Sequence, residues 1–152
     1  MTSRRRLRWL VLGLVACDTS DETTYEQYNA DGDSVTVSVG VVDLLPAVTT
    51  ALHSSTGEVE VGSASIDPGG GPIGSTHTVL VSLIADYVAD VDRVSIRTDS
   101  GDRGEDEYDL EPDSTGTGIF KRELVTVGEE GETRDDVLTF RLWTAVETDS
   151  AE

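Results

Sequence analysis

The stretch that decides the fold class is residues 34–41, Ser34-Val35-Thr36-Val37-Ser38-Val39-Gly40-Val41. Valine occupies every second position, and small or polar residues occupy the positions between. Successive side chains of a β-strand point to opposite faces, so this alternation predicts a strand with one buried face. Valine and threonine also favour strands over helices.

Six further segments of similar composition predict strands on the carboxyl-terminal side of this stretch. They cover residues 58–66, 76–84, 91–98, 108–110, 119–127 and 136–146. A helix is the alternative for residues 78–88, because Val79, Leu83 and Tyr87 also fall at helical spacing. The run Gly69-Gly70-Gly71 is expected to form a turn or a flexible loop.

About seven short strands separated by turns predict an all-β fold, an antiparallel β-sandwich. The last two strands, 119–127 and 136–146, are expected to pair as a hairpin, because the loop between them is short and contains glycine. The bulky apolar residues of the core are expected to be Phe120, Leu138, Phe140, Leu142 and Trp143.

The second half of the chain resembles bacterial immunoglobulin-like modules. Three segments carry the likeness: Val91-Asp92-Arg93-Val94-Ser95-Ile96, Gly118-Ile119-Phe120, and Leu138-Thr139-Phe140-Arg141-Leu142-Trp143-Thr144-Ala145. The chain lacks the cysteine pair of antibody domains, because it has a single cysteine. The resemblance implies an immunoglobulin-like sandwich and no particular function, since one architecture serves many functions.

Residues 1–17, MTSRRRLRWLVLGLVAC, combine a basic start, a short apolar run and the single cysteine. The apolar run is shorter than the roughly 20 residues that span a bilayer, and it has the length found in signal peptides. The segment Leu14-Val15-Ala16-Cys17 resembles the lipobox of bacterial lipoproteins. That resemblance implies cleavage before Cys17 and attachment of lipid to its sulfur.

The lipobox resemblance also implies a location. The protein would be membrane-anchored in the cell envelope and exposed to the periplasm or the cell surface. An ordinary signal peptide, or a buried first strand with a packed Cys17, is the alternative. Ser3-Arg4-Arg5 leaves both general secretion and twin-arginine export open.

Four segments follow from these features. Residues 1–16 are the predicted signal peptide, and residues 34–147 are the predicted sandwich domain. Residues 17–33 are predicted to be a flexible acidic tether, because 18–33 contain no Val, Ile, Leu or Phe to offset the entropy of ordering. Residues 148–152 form a polar tail that is expected to fray.

The charge of the chain restricts its partners. Its formal net charge is −19, and from Cys17 onward 7 basic residues face 30 acidic ones, a net charge of −23. Such a field repels phosphate backbones, so nucleic-acid binding is excluded. The expected partners are the membrane, through the lipid anchor, and an envelope protein or polysaccharide.

The sequence contains no pattern that indicates catalysis. A Gly-x-Ser-x-Gly elbow is absent, and the two histidines, His53 and His77, are expected to be a surface residue and a strand-edge residue. Calcium is the one cofactor that the sequence suggests, because carboxylate oxygens are abundant in two segments. The candidate ligands are Asn29, Asp31 and Asp33, and Asp99, Asp102, Glu105 and Asp106. Solvated acidic loops are the alternative.

The expected function is therefore a non-catalytic binding or structural role in the cell envelope. Two alternatives stay open: a small enzyme, or enzyme accessory, that acts on an envelope polymer, and a calcium-stabilised adhesion module.

Overall fold

A computed structural model describes residues 23–146, apart from residues 30, 57, 102, 103 and 115. The chain divides into two compact units, Tyr25–Ala145 and a second unit made of Met1–Thr24 and Val146–Glu152. The domain described below is Tyr25–Ala145. The predicted signal peptide, Cys17 and the predicted frayed tail lie outside the described residues.

The described residues form ten strands and one short 3-10 helix, so the all-β class is confirmed. The strands are β1 Thr24–Gln27, β2 Asp33–Val39, β3 Val48–His53, β4 Glu60–Asp67, β5 Gly70–Gly71, β6 Thr76–Leu83, β7 Arg93–Asp99, β8 Glu105–Pro112, β9 Ile119–Val125 and β10 Arg134–Val146. Residues 78–83 belong to a strand, as the favoured interpretation predicted, and the 3-10 helix Ala85–Asp90 follows.

The strands form one curled sheet in the order β3-β4-β6-β9-β8-β7-β10-β2-β5, with β1 also paired to β10. β2 and β5 pair in parallel, and the other pairings with a described register are antiparallel. The sheet thus differs from the predicted immunoglobulin-like sandwich, which is antiparallel with about seven strands. β1, β3 and β5 are the additional strands. They were missed because they lack a clear alternation of apolar and polar residues.

The predicted hairpin between the last two strands is wrong. β9 pairs with β6 and β8, whereas β10 pairs with β7 and β2. The loop 126–133 does not fold back on β9, because its backbone is bonded to another loop: Thr126 N–H donates to Ser75 O, and Gly74 N–H donates to Thr126 O. A short glycine-containing loop is therefore compatible with a crossing between sheet segments as well as with a hairpin.

The predicted tether, residues 17–33, is wrong for its carboxyl-terminal part. Thr24–Gln27 is strand β1, and Asn29 is buried beside β10. The Asn29 side chain bonds two backbone groups of β10: Nδ2 donates to Phe140 O over 3.0 Å, and Oδ1 accepts from Leu142 N over 2.9 Å. This amide supplies hydrogen bonds to backbone groups at the edge of β10, at the gap between the end of β1 and the start of β2. The folded domain therefore starts well before residue 34.

The core lies inside the curl of the sheet and follows the period-two pattern. Its buried apolar residues include Val37, Val39, Leu52, Val61, Ile66, Val79, Val81, Val94, Ile96, Leu110, Phe120, Leu138, Phe140 and Leu142. The prediction that Trp143 belongs to this core is wrong. Leu138, Phe140 and Leu142 point inward from β10, so Trp143 points to the outer face, where it is half-buried.

The two ends of the domain are built differently. We call one the cavity end, formed by the segments 40–47, 68–75 and 126–133. These segments join through backbone bonds, such as Gly40 N–H to Gly71 O and Leu45 N–H to Gly70 O. We call the other the far end, where β2 begins at Asp33 and β3 ends at His53.

Candidate functional site

The cavity end contains a cavity of about 90 Å³ inside the curled sheet. Its apolar walls include Val37, Ile66, Leu124 and Leu138, which come from four different strands. Polar side chains from the same region also line it. The volume holds several water molecules but is well below the roughly 300 Å³ of a typical pocket for a drug-sized ligand. The cavity therefore suits one small chemical group.

His77 is the buried polar residue of this cavity, with 2% of its surface exposed. Its Nδ1 lies 2.6 Å from the carbonyl oxygen of Pro68. A carbonyl oxygen can only accept, so Nδ1 carries a proton, and when the ring is neutral Nε2 carries a lone pair. Nε2 is buried, and no described residue bonds it.

The sequence carries a signal for the position of His77. It stands two residues before Val79 and four before Val81, and these two valines are fully buried. The strand period therefore places the ring on the inward face. The predicted strand-edge histidine is instead a buried one.

Arg134 forms a compact ion cluster at the same cavity. Its Nε and Nη2 donate to the two oxygens of Asp136 over 2.7 and 3.2 Å, and Nη1 donates to Glu132 over 2.7 Å. Only 13% of the Arg134 side chain and 11% of the Asp136 side chain are exposed. The hydrogen bond with Asp136 is the main cause that raises the pKa of Arg134, and burial opposes it. The guanidinium stays charged and holds both carboxylates in place.

Tyr108 lines the cavity beside Asp106. Burial is the main cause that raises the pKa of the Tyr108 phenol; Asp106 raises it further, while Arg122 lowers it. The guanidinium carbon of Arg122 lies 4.8 Å from the centre of the Tyr108 ring. The phenol therefore stays neutral through the physiological range.

Exposed apolar side chains lie at the cavity end of the domain. Val42 is 87% exposed, Val127 is 60% exposed, and Leu44 and Val125 are also exposed. Val125 and Val127 line the cavity as well. Isolated apolar residues are common on surfaces, but a group of them at one end of a strongly acidic domain favours a contact surface.

The glycine run Gly69-Gly70-Gly71 is not the turn or flexible loop that the sequence predicted. Gly70–Gly71 forms strand β5, which is buried and pairs with Ser38 and Val39 of β2. A Cβ atom at Gly70 would lie 2.7 Å from Ser38 O and 2.8 Å from Leu45 Cδ1. Glycine is required there because β2 and the 40–47 segment approach the backbone too closely for any side chain.

The calcium candidates do not converge on one site in the described structure. Asp33 accepts from the backbone N–H of His53 over 2.9 Å and lies 3.1 Å from its Nδ1, and Asp99 accepts from Gly101 N–H over 3.0 Å. Asp33 and Asp99 lie on strands at opposite edges of β10.

The other calcium candidates are equally scattered. Asn29 binds β10, Asp31 and Glu105 are exposed, Asp106 lines the cavity, and Asp102 lies outside the described residues. Within the described part of the chain, no three His, Cys, Asp or Glu residues are grouped to hold a metal ion. Calcium binding stays a prediction.

The predicted surface histidine, His53, is the last residue of strand β3, and 38% of its side chain is exposed. Its bonds to Asp33 tie the start of β2 to the end of β3. His53 is therefore at the far end, and His77 is at the cavity end. The two histidines do not share a site.

A second polar region covers the outer face of β10, β7 and β8, and we call it the arginine face. It contains Arg93, Arg97 and Arg141, which are three of the seven basic residues after Cys17. Trp143 stacks with Arg93 and Arg141, whose guanidinium carbons lie 5.2 and 4.9 Å from its ring centre.

The polar atoms of the arginine face are paired with one another. Trp143 Nε1 donates to Ser95 Oγ over 2.9 Å, and Ser95 donates in turn to Glu107 over 2.7 Å. Arg97 donates to Glu105 over 2.8 Å. These mutual bonds indicate a face that stabilises the sheet, because the arginines and the indole already have partners within the domain.

No protein-family model, no curated protein and no solved structure matches the chain.

Proposed function

We propose that this chain is a lipid-anchored cell-envelope protein that carries a non-catalytic all-β binding domain. The segment Leu14-Val15-Ala16-Cys17, preceded by a basic start and a short apolar run, is the observation that carries the anchor. Cys17 is the lipidated residue, and the domain is exposed to the periplasm or the cell surface. The described residues include no helix long and apolar enough to cross a membrane.

The cavity end lies far along β10 from the residues where the described domain begins. Tyr25 lies beside Trp143, because both rings stack with Arg93. From there the chain follows the edge of β10 to Val39, which pairs with Arg134. The stretch of β10 from Arg134 to Trp143 spans about 30 Å at about 3.3 Å per residue. Within the domain, the cavity end and Tyr25 thus lie at opposite ends of β10.

The chemistry of the cavity end favours binding over catalysis. Arg134 is neutralised by Asp136 and Glu132, and the walls are mainly apolar. An envelope protein or polysaccharide that contacts Val42, Leu44 and Val127 is the expected partner, and the acidic surface excludes nucleic acid.

The anchor is tested by intact mass and detergent-phase partitioning of protein purified from its native host. We expect a chain that begins at Cys17, carries added acyl mass and enters the detergent phase. Cys17→Ser abolishes the acyl mass and the partitioning, whereas the matched control Ser20→Ala retains both. A Cys17→Ser protein that still enters the detergent phase contradicts the anchor.

The binding role is tested separately with a photo-crosslinking residue at two exposed positions in living cells. Position Val127 lies at the cavity end, and position Thr56 lies in the loop after β3 at the far end. We expect a discrete adduct from Val127 and none from Thr56. Equal adducts from both positions, or an adduct from Thr56 alone, would remove the cavity end from the binding role.

A further inference from the structure

The described residues contain two buried side-chain atoms with no hydrogen-bond partner, His77 Nε2 and Arg122 Nε. Such atoms are rare in folded proteins, because a buried polar atom without a partner destabilises the folded state. His77 is the one of the two whose side chain lines the cavity. The arrangement is therefore a buried acceptor beside space that no protein atom fills.

The bond with Pro68 determines which chemistry can satisfy His77. In the neutral ring the proton is on Nδ1, so Nε2 accepts a hydrogen bond and cannot donate one. A group with an O–H or N–H donor satisfies it, whereas an ether or carbonyl oxygen offers only another lone pair. The histidine thus selects a donor.

The walls determine what carries that donor. Val37, Ile66, Leu124 and Leu138 favour an aliphatic body. An ammonium group loses far more hydration than a hydroxyl when it enters apolar surroundings, so a neutral donor fits better. A carboxylate is disfavoured, because Asp106 and Asp136 also line the cavity.

We propose that the cavity binds a small aliphatic alcohol whose hydroxyl donates to Nε2 of His77. This ligand class deepens the proposed binding role of the domain, and it is independent of the lipid anchor at Cys17. The volume of about 90 Å³ limits the ligand to a short alkyl chain. A longer molecule would extend toward solvent past Val125 and Val127, which line the cavity and are exposed.

Two isomers of the same composition, 1-butanol and methyl propyl ether, provide matched probes that differ in the donor. Both are titrated into the full chain while the ring nitrogens of His77 are followed by ¹⁵N nuclear magnetic resonance. We expect 1-butanol to shift the Nε2 resonance along a saturable curve, with a dissociation constant on the order of 1–10 mM. The ether should bind about fivefold more weakly, the factor that one hydrogen bond typically contributes, and should leave Nε2 unshifted.

Three variants locate the effect. His77→Phe keeps an aromatic ring but removes the acceptor, so the two isomers should bind equally. Leu124→Phe fills the cavity and should abolish the binding of 1-butanol, whereas Leu80→Phe places the same side chain on the exposed face of β6 and should leave it unchanged. The wild-type titration remains decisive if His77→Phe does not fold.

Equal binding of the two isomers to the wild type overturns the inference, and so does an Nε2 resonance that 1-butanol leaves unshifted. If the chain does not bind 1-butanol but still forms an adduct from Val127, the proposed function stands and this ligand class is wrong. If the chain binds 1-butanol through His77 but forms no adduct from Val127, the ligand class stands and the proposed macromolecular partner is wrong.

Discussion

Arg134 at the cavity end and Arg97 on the arginine face make ion pairs of nearly the same length and differ in their surroundings. The shortest contacts are 2.7 Å from Arg134 to Asp136 and 2.8 Å from Arg97 to Glu105. The side chains of the first pair are 13% and 11% exposed, and those of the second are 44% and 49% exposed. Distance alone would rank the pairs as equal, whereas burial predicts very different effects on stability.

The largest effect is expected from Arg134→Met. This change leaves Asp136 buried without its guanidinium partner, and breaking a buried pair on one side typically destabilises a protein by about 3–5 kcal/mol. Urea denaturation measures the free energy of unfolding. We expect a loss of about 3 kcal/mol, because Glu132 and Asp136 retain some contact with water.

The double variant Arg134→Met, Asp136→Leu sharpens this prediction. It removes both charges, so it should recover most of the stability that Arg134→Met loses. A double variant that is as unstable as the single one would mean that packing of the arginine side chain, and not the unpaired carboxylate, causes the loss.

The next effect is expected from Asn29→Ala, which tests a buried uncharged group. It leaves Leu142 N–H and Phe140 C=O on β10 without their side-chain partners. We expect the free energy of unfolding to fall by about 2 kcal/mol. The matched control is Asp31→Ala, an exposed position two residues away, which should change it by less than about 0.5 kcal/mol. Similar losses from the two variants would show that residues 28–32 do not act through the Asn29 amide.

Asn29 also shows why part of this fold could not be predicted from the sequence. Residues 18–33 contain no Val, Ile, Leu or Phe, and Tyr28 is the aromatic residue of this segment that packs against the core. Residues 24–29 are nevertheless ordered by hydrogen bonds to a strand more than 100 positions later. Hydropathy predicts which segments become ordered by burying apolar side chains. It carries no information about a polar side chain that bonds the backbone of a strand far away in the sequence.

The strands themselves were predictable where the side chains alternate. Val37 and Val39 of β2, and Leu138, Phe140 and Leu142 of β10, are buried as the period of two requires. The same period would also have placed His77 inside and Trp143 outside. The pairing of the strands was not predictable from the sequence. The partners of β9 depend on how the apolar faces of all the strands pack inside the curled sheet, and not on the loop that follows β9.

The cavity itself had no local sequence signal. Its lining residues come from strands and loops throughout the chain, and their positions along each strand depend on the register. Of the residues singled out in the sequence as calcium candidates, Asp106 lines the cavity, and it does so beside apolar walls and not in a cluster of oxygen ligands.

An intermediate case is the half-buried phenol of Tyr108, whose effect depends on pH. Burial, followed by Asp106, raises its pKa above the ordinary value of 10.0. The folded protein therefore holds this proton more tightly than the unfolded chain does. The stability that results is complete below about pH 10 and is lost as the pH rises toward the higher folded pKa.

Urea denaturation between pH 8 and pH 11 tests this dependence. Tyr108→Phe should reduce the loss of stability above pH 10, and Tyr28→Phe should reduce it in part as well, since burial also raises the pKa of Tyr28. If Tyr108→Phe loses stability as steeply as the wild type above pH 10, the phenol is not desolvated at the cavity.

The smallest effect is expected from Arg97→Met, the exposed counterpart of Arg134→Met. The hydrogen bond with Glu105 raises the pKa of Arg97, but water and salt screen a pair that is nearly half exposed. We expect a loss of about 0.3 kcal/mol in low salt that disappears at about 1 M salt, where the screening length falls to about 3 Å. Arg134→Met should keep most of its effect at high salt, because its pair is shielded from mobile ions. If the two variants were equally destabilising, or responded equally to salt, burial would not be what separates the cavity end from the arginine face. The cluster at Arg134 would then be one more surface ion pair.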